Sequence, residues 1–415
     1  MKILHLSTSD LDGGAARAAY RLHKGLQTIS VNSHMLVRAK DSLNETVIAK
    51  NDALTKLGPL ASGLPLKFYQ SRKPTLFSTQ WFPDTLINSI RNIESQIINL
   101  HWICNGFLKI ENISRIDKPI VWTLHDMWAF TGGCHYTENC DRYIQSCGSC
   151  PQLNSKSKQD LSYSIWKRKI KAWRQLNLTI VSPSKWLAEC AAKSSVLGSF
   201  KRIEVIPHGL DLSKYKPVEP HLARQLLNLP TDKQLILFGS SPGTTADKRK
   251  GLQYLIPAIN KLDSFSDSLE LVVFGSGDIK KTKEWGFSVN YLGQFHDDIS
   301  LSLVYSSVDV MVVPSEQEAF GQTASESLAC GTPVVAFDAT GLQDIVDHQR
   351  NGYLAKPYAV EDLARGIAWV LEDRERHQKL SDKAREKAEK EFNLELQARR
   401  YLSLYEAIIS TQSQI

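Results

Sequence analysis

The chain lacks any run approaching the roughly 18 uninterrupted apolar residues that a bilayer-crossing helix requires. Its opening MKILHLSTSDLD turns polar and acidic after six residues, too short an apolar region for a secretory signal. A soluble, cytoplasmic chain is expected. Nowhere does G-x-G-x-x-G open a helix: SDLDGGAARAA lacks the spacing and FGSGDIKK lacks the third glycine, which weighs against a nicotinamide-dependent oxidoreductase. A D-x-D pattern occurs as DLD at Asp10 to Asp12, ahead of a glycine pair rather than mid-sheet, and so lends little to metal-dependent group transfer. The basic charge would suit a nucleic-acid-binding protein, but no such module is legible and the aromatic residues are scattered. Nucleic acid is therefore not the expected partner. Internal repeats and low-complexity tracts are also missing.

What remains is ordinary globular material. Apolar residues make up 42% and charged residues 23%, and a length of 415 residues predicts two domains or three. The net charge of +6 hides an asymmetry: Met1 to Val205 carries 27 Lys plus Arg against 15 Asp plus Glu, the remainder 23 against 29. A basic first half suits an anionic membrane surface or a phosphorylated substrate, with a merely solvated face as the plain alternative. Four of the seven cysteines crowd together as Cys134, Cys140, Cys147 and Cys150, spaced C-x5-C-x6-C-x2-C. The C-G-S-C end has zinc-ligand spacing and the first pair is looser, so a structural zinc site, two disulfides and free thiols all stay open. His135 is a substitute ligand in the zinc case.

Strand and helix patterns alternate from the start, the grammar of a parallel sheet with helices on both faces. KILHLS, SHMLVRA, IINLHW, PIVWTLHD and LTIVSPS read as strands, and AARAAYRLHKGL places Ala15, Ala18, Leu22 and Leu26 on one helical stripe. Residues Pro59 to Pro83 carry Phe68, Tyr69, Phe77, Trp81 and Phe82 without clear periodicity and look like a long surface excursion. SIWKRKIKAWRQL puts Trp166, Ile170 and Trp173 on one side of a helix among Lys167, Arg168, Lys171 and Arg174. Such a helix lies on a membrane or packs on its domain. After a linker around Ile206 to Pro217, a second strand series follows: QLILFGS, LELVVFGSG, VNYLG, VDVMVVPS and TPVVAFD. The fold class is α/β, with two doubly wound Rossmann-like domains facing across a cleft: residues 1–206, with a Cys-rich loop at 130–151, and 207–390. A C-terminal helix in 391–415 is expected to cross back to the first domain. Ligands in such sheets bind at the carboxyl ends of the strands.

The strongest chemical signal is PSEQEAFGQTASESLACGTPVV, Pro314 to Val335. A strand ends, Glu318 follows, and a helix begins near Gly321 with unpaired amides able to meet a phosphate. Gln322 and Thr323 have the polar character that allows close approach. Glu326, eight residues after Glu318, supplies a second carboxylate suited to a diol.

The E-x7-E pattern in EAFGQTASE with the GTPVV turn resembles the donor-site signature of family 4 retaining glycosyltransferases, which have two Rossmann-like domains (the GT-B fold) and include enzymes of bacterial envelope polysaccharides. The resemblance covers nearly the whole chain. It implies that Glu318 reaches the transferred sugar, Glu326 the ribose, and Phe320 to Thr323 the donor. Gly13 and Gly14 resemble the loop at the donor phosphate, His125 the histidine that touches the sugar, and Lys250 in RKG the diphosphate-binding lysine. Tyr291 and Leu292 in VNYLG resemble the strand end that brackets the base. There are departures: Ser240 stands where the family has arginine, with Arg249 as a replacement charge; His208 replaces an asparagine; and a GG-x-P-E segment reads TGLQD, keeping Gly341 and Asp344. The implied reaction is hexose transfer without a catalytic metal, from UDP-glucose or alternatively GDP-mannose, to a saccharide or lipid-diphosphate acceptor. An epimerase or phosphorylase of the same architecture is the nearby alternative.

Overall fold

The computed structural model describes residues 1–200, 202–239, 247–262, 268–275 and 285–412. It divides into two compact units, Met1–Gly209 with Glu395–Ile415, and Leu210–Leu394.

The first unit holds strands β1 (Lys2–Ser9), β2 (Asn32–Ala39), β3 (Val47–Ala49), β4 (Ile97–Leu100), β5 (Ile120–Thr123), β6 (Leu178–Ser182) and β7 (Ile203–Val205). They form one sheet in the order β3-β2-β1-β4-β5-β6-β7, with every ladder parallel. The sequence dictates this arrangement. IINL, IVWT and LTIVS are buried at every position, and strands apolar on both faces need helices on both faces. Those helices are α1 (Gly14–Thr28), α2 (Ala53–Ser62), α3 (Leu86–Asn92), α4 (Ile110–Ile113), α5 (Leu161–Trp173) and α6 (Lys185–Lys193).

One local expectation is corrected, and for α5 the packed alternative is the one found. On α1, Ala18, Leu22 and Leu26 are buried but Ala15 is only partly so, because Ala16 and Ala19 share the inward stripe. On α5 the apolar face is packed: Trp173 is buried beside Trp122 and Trp128, and Trp166 Nε1 donates to Ser195 Oγ at 2.9 Å. Trp166 and Ile170 are half-buried, so the stripe is largely taken up by packing on its own domain.

The second unit repeats the plan with β8 (Gln234–Gly239), β9 (Leu269–Phe274), β10 (Val289–Gly293), β11 (Val310–Val313), β12 (Val334–Phe337) and β13 (Gly352–Ala355). Their order is β10-β9-β8-β11-β12-β13, again all parallel. Its helices are α7 (Pro220–Leu226), α8 (Leu252–Ile259), α9 (Asp298–Ser306), α10 (Gln322–Ala329), α11 (Val360–Leu371) and α12 (Arg374–Glu391). This is the doubly wound order, in which the chain reverses direction between β8 and β11 and leaves a binding crevice at their carboxyl ends.

A last helix, α13 (Leu394–Gln412), belongs to the first unit for nearly all its length. Ala398, Tyr401, Leu404, Tyr405 and Ile408 form its inward stripe and pack with Ile3, Leu22, Ile97, Val121 and Val181. Each buried phenol finds a partner: Tyr401 Oη lies 2.9 Å from Thr123 Oγ1, and Tyr405 Oη accepts from Asn99 Nδ2 at 2.7 Å. The sheet of the first unit is therefore closed by residues far along the chain. Tyr401→Ala should cost about 3–5 kcal/mol of stability in urea titration; a loss under about 1 kcal/mol would show that α13 is not part of this core.

Candidate active site

The second unit builds its site from a close backbone approach. Gly251 has φ +81°, and a Cβ there would stand 1.7 Å from the Pro314 carbonyl oxygen, so only glycine lets the turn at Lys248–Lys250 rest on the strand exit after β11. Glu316 N donates to Arg249 O at 2.7 Å across this junction. The consequence is chemical: Lys250 Nζ donates to Glu318 Oε1 at 2.6 Å, Ser315 Oγ to the same oxygen at 3.0 Å, and Arg249 Nη1 stands 3.8 Å away. Burial pushes the Glu318 carboxyl up, but the charges of Lys250 and Arg249 and the Lys250 and Ser315 hydrogen bonds outweigh it and hold the acid below its ordinary value. Glu318 is an anion at neutral pH.

Three residues on, Gly321 (φ +101°) begins α10, where a Cβ would stand 2.7 Å from Leu342 Cδ2. Gln322 and Thr323 form the first turn of α10, whose amide dipoles favour an anion. The TGLQD segment lies directly beneath: Glu318 N donates to Thr340 Oγ1 at 3.1 Å and Gly341 N to Glu318 O at 3.0 Å. Thr340 itself has φ +58°, a conformation a β-branched residue adopts only under compulsion. Its hydroxyl's bond to the Glu318 backbone compensates. The threonine stands where the resembled family has its first glycine, so the departure from pattern is absorbed locally.

The remaining candidates of this unit separate. Glu326 is buried on α10, accepting from Tyr305 Oη at 2.7 Å. The Phe320 side chain is core, edge-on to Phe392 at 5.7 Å, so it does not offer a ring to a ligand. Tyr291 and Leu292 lie at the end of β10, three strands from β11 in the sheet, and pack partly against the two cores of the unit. Ser240 and the loop 240–246 fall outside the described residues.

In the first unit, Gly13 (φ +85°) caps α1 and Gly14 opens it; a Cβ at Gly13 would meet nothing within 4 Å. Asp10, the first acid of DLD, is fully buried and spends both oxygens on the backbone amides of Asp41 and Ser42. That is a structural duty, and it removes the D-x-D reading.

His125 ends a line of buried imidazoles that the sequence pattern does not announce. His5 Nδ1 lies 2.9 Å from His101 Nε2, His101 Nδ1 lies 3.0 Å from His125 Nε2, and His208 stacks on His125 at 5.1 Å. Burial drives His5, His101 and His208 well below the ordinary imidazole value and His125 down to about 4, so the rings are neutral at pH 7. One proton serves each contact. His5 Nε2 is buried without a hydrogen-bond partner, and an orphan lone pair there costs less than an orphan N–H. The protons therefore sit on Nδ1 of His5, of His101 and, in consequence, of His125.

Asp126 accepts from Trp102 Nε1 at 2.9 Å and from Trp128 N at 2.8 Å, and pairs with His135 Nδ1 at 2.6 Å. His135 Nε2 meets Ser78 Oγ at 2.8 Å, so both its nitrogens are committed and it is not a spare ligand for the cysteine loop. Cys134, Cys140, Cys147 and Cys150 are free thiols that line one cavity of about 20 Å³, the room of a single water-sized group. Burial pushes Cys147 up to about 12. Among the described residues no three His, Cys, Asp or Glu side chains stand in metal-holding geometry.

Residues 223–387, a stretch inside the second unit, match the family Glycosyl transferases group 1. The chain is 24% identical over 368 residues to the putative colanic acid biosynthesis glycosyl transferase WcaC of Escherichia coli, covering 85% of this chain and 86% of that one. It is 34% identical over 157 residues to an uncharacterized glycosyltransferase of Methanocaldococcus jannaschii, a match spanning 36% of this chain and 39% of the archaeal protein. The crystal structure of HepE from Anabaena, in complex with UDP and glucose, shares the fold over 98% of this chain and all of that one, with a TM-score of 0.68 at 18% identity.

The histidine line makes a pH prediction. Folded-state imidazole values lie below the unfolded 6.5, so the unfolded chain takes up protons first and stability falls as pH drops through 6.5. His101→Gln, which does not titrate, should flatten that fall by about 1.4 kcal/mol per pH unit in denaturant titrations between pH 6.5 and 5. An unchanged slope would contradict a neutral buried His101. Nitrogen NMR of the wild type should report His125 protonated on Nδ1.

Proposed function

We propose that this chain is a retaining glycosyltransferase that moves a hexose, glucose from UDP-glucose, onto a saccharide or lipid-diphosphate-linked acceptor in bacterial polysaccharide synthesis at the cytoplasmic membrane face. The observation that carries the reading is the corner of the second unit where Lys250 and Arg249 converge on Glu318 just ahead of the α10 N-terminus. A departing nucleoside diphosphate gathers negative charge as the glycosidic bond breaks. Two fixed cations and the helix-end amides stabilise that charge in place, and the arrangement asks for no divalent metal.

Glu318 already accepts from Lys250 and Ser315, which makes it a weak nucleophile and a good partner for sugar hydroxyls. Retention then follows from attack on the face the diphosphate leaves, with a departing phosphate oxygen taking the proton of the acceptor hydroxyl. In this reading Glu326 holds the ribose and His125 offers its Nδ1–H to the sugar. Similar proteins support the class: a putative colanic acid biosynthesis glycosyl transferase, and a HepE structure holding UDP and glucose. The basic first half supports an acceptor that carries phosphate.

Thermal-shift measurements should show stabilisation by UDP or UDP-glucose, and glucose transfer should survive EDTA. Lys250→Ala and Glu318→Ala should each lower kcat at least ~10²-fold with the fold intact. Stabilisation by GDP-mannose instead reassigns the donor, and a free sugar or epimer formed without acceptor reassigns the reaction. Stabilisation by NAD and by neither diphosphate, or near-normal turnover in either variant, would overturn the reading.

A further inference from the structure

The stretch from α2 to Trp81 is built the wrong way round for a globular core. A helix normally turns its large apolar side chains inward. On α2 the buried positions are Thr55, Gly58 and Ser62, and Gly58 lies so close to Gly106 that a Cβ would stand 2.5 Å from its carbonyl oxygen. The small face is therefore pinned down by a backbone contact that no larger residue permits. Lys56, Leu57 and Leu60 fall within about 100° of one another on the opposite side, and Leu57 and Leu60 are exposed, Leu60 by 77%. The short helical turn Leu64–Phe68 continues the display with Leu64 and with Phe68, which is 89% exposed, and Leu76 adds a further 59%. Exposed leucines and a phenylalanine gathered within one stretch of chain mark a partner surface rather than scatter.

The charge around them selects the partner. Between Asp52 and Asp84 there is no acid, and four cations: Lys56, Lys67, Arg72 and Lys73. Asp52 is spent on the α2 N-cap, on Thr85 and on Lys50, and Asp84 on the amide of Lys109 and the side chain of Asn112. Lys73 pairs with Glu138, and Arg72 donates to the carbonyls of Lys73 and Thr75. Lys56 and Lys67 are exposed and make no ion pair among the described residues. A second copy of the chain would bring the same cations opposite each other across a two-fold interface. An anionic bilayer accepts the apolar side chains and the lysines together.

We propose that the segment Ala53–Trp81 docks the first unit on an anionic membrane, with Leu57, Leu60, Leu64 and Phe68 entering the headgroup boundary and Lys56 and Lys67 meeting lipid phosphates. This deepens the preceding reading, in which the acceptor is lipid-linked, by naming the surface that meets the lipid. The helix α5 does not take this role, because Trp173 is buried inside the unit and Trp166 is half-buried and tied to Ser195.

The test is flotation of the purified full chain with vesicles of phosphatidylcholine alone, or with phosphatidylglycerol added to about a third. The wild type should bind the anionic vesicles at least ~10-fold better than the neutral ones. Leu60→Ser with Phe68→Ser, and separately Lys56→Glu with Lys67→Glu, should each lose at least ~10-fold, since an apolar anchor and a cation each contribute severalfold. All four positions are exposed, so circular dichroism and thermal midpoint should stay unchanged. Equal wild-type binding to both vesicles, or variants that bind as the wild type does, would overturn the proposal. So would a dimer of the wild type that the variants convert to monomer. No nucleotide sugar is present in the assay, so a chain that docks yet transfers no sugar fails only the earlier reading.

Discussion

One close approach organises the second unit. Gly251 lets a cationic turn settle on the carbonyl of Pro314, and that contact delivers Lys250 and Arg249 to Glu318. Everything distinctive about the carboxylate follows: it stays ionised despite burial, it is presented just before the dipole of α10, and its backbone is clamped by Thr340 and Gly341. A side chain at position 251 would separate the cations from the acid, and the rest of the sheet would have no means of bringing them back. The strain at Thr340 belongs to the same construction, because the residue that clamps Glu318 is held in a conformation its own side chain opposes.

The first unit rests on a different economy. Neutral imidazoles fill a space where charged groups would be costly, and their hydrogen bonds transmit a proton arrangement from His5 to His125. Such a network sets the polarity of its last member without adding a charge of its own, the character that the proposed sugar contact asks of His125. The sheet beneath it is sealed by α13, so the stability of the unit depends on residues at the far end of the chain.

The two parallel sheets are plain in the sequence because their strands are short continuous apolar runs separated by helical periodicity. Glu318 is also legible, from its place between a strand exit and a helix start, whereas Lys250 and Arg249 come into view only through the family resemblance. Other parts are hidden. His5 sits in β1 and His101 just past the end of β4, 96 residues apart, and nothing in period or spacing links them. Phe320 looks like a ligand contact from its place in the motif, yet packs against Phe392 from a distant helix end. His135 looks available beside Cys134, yet Asp126 and Ser78 claim it. The outward leucines of α2 escape pattern reading because the inward face is made of small residues, and a hydrophobicity stripe then points the wrong way.

The most direct measurement of the central claim is calorimetric titration of UDP into the wild type and Lys250→Ala. Loss of a charge-assisted contact of about 1.5–3 kcal/mol should weaken UDP binding by ~10- to 100-fold while the variant's fold is retained. Equal affinities in the two proteins would show that the diphosphate is not held at the Lys250–Glu318 corner.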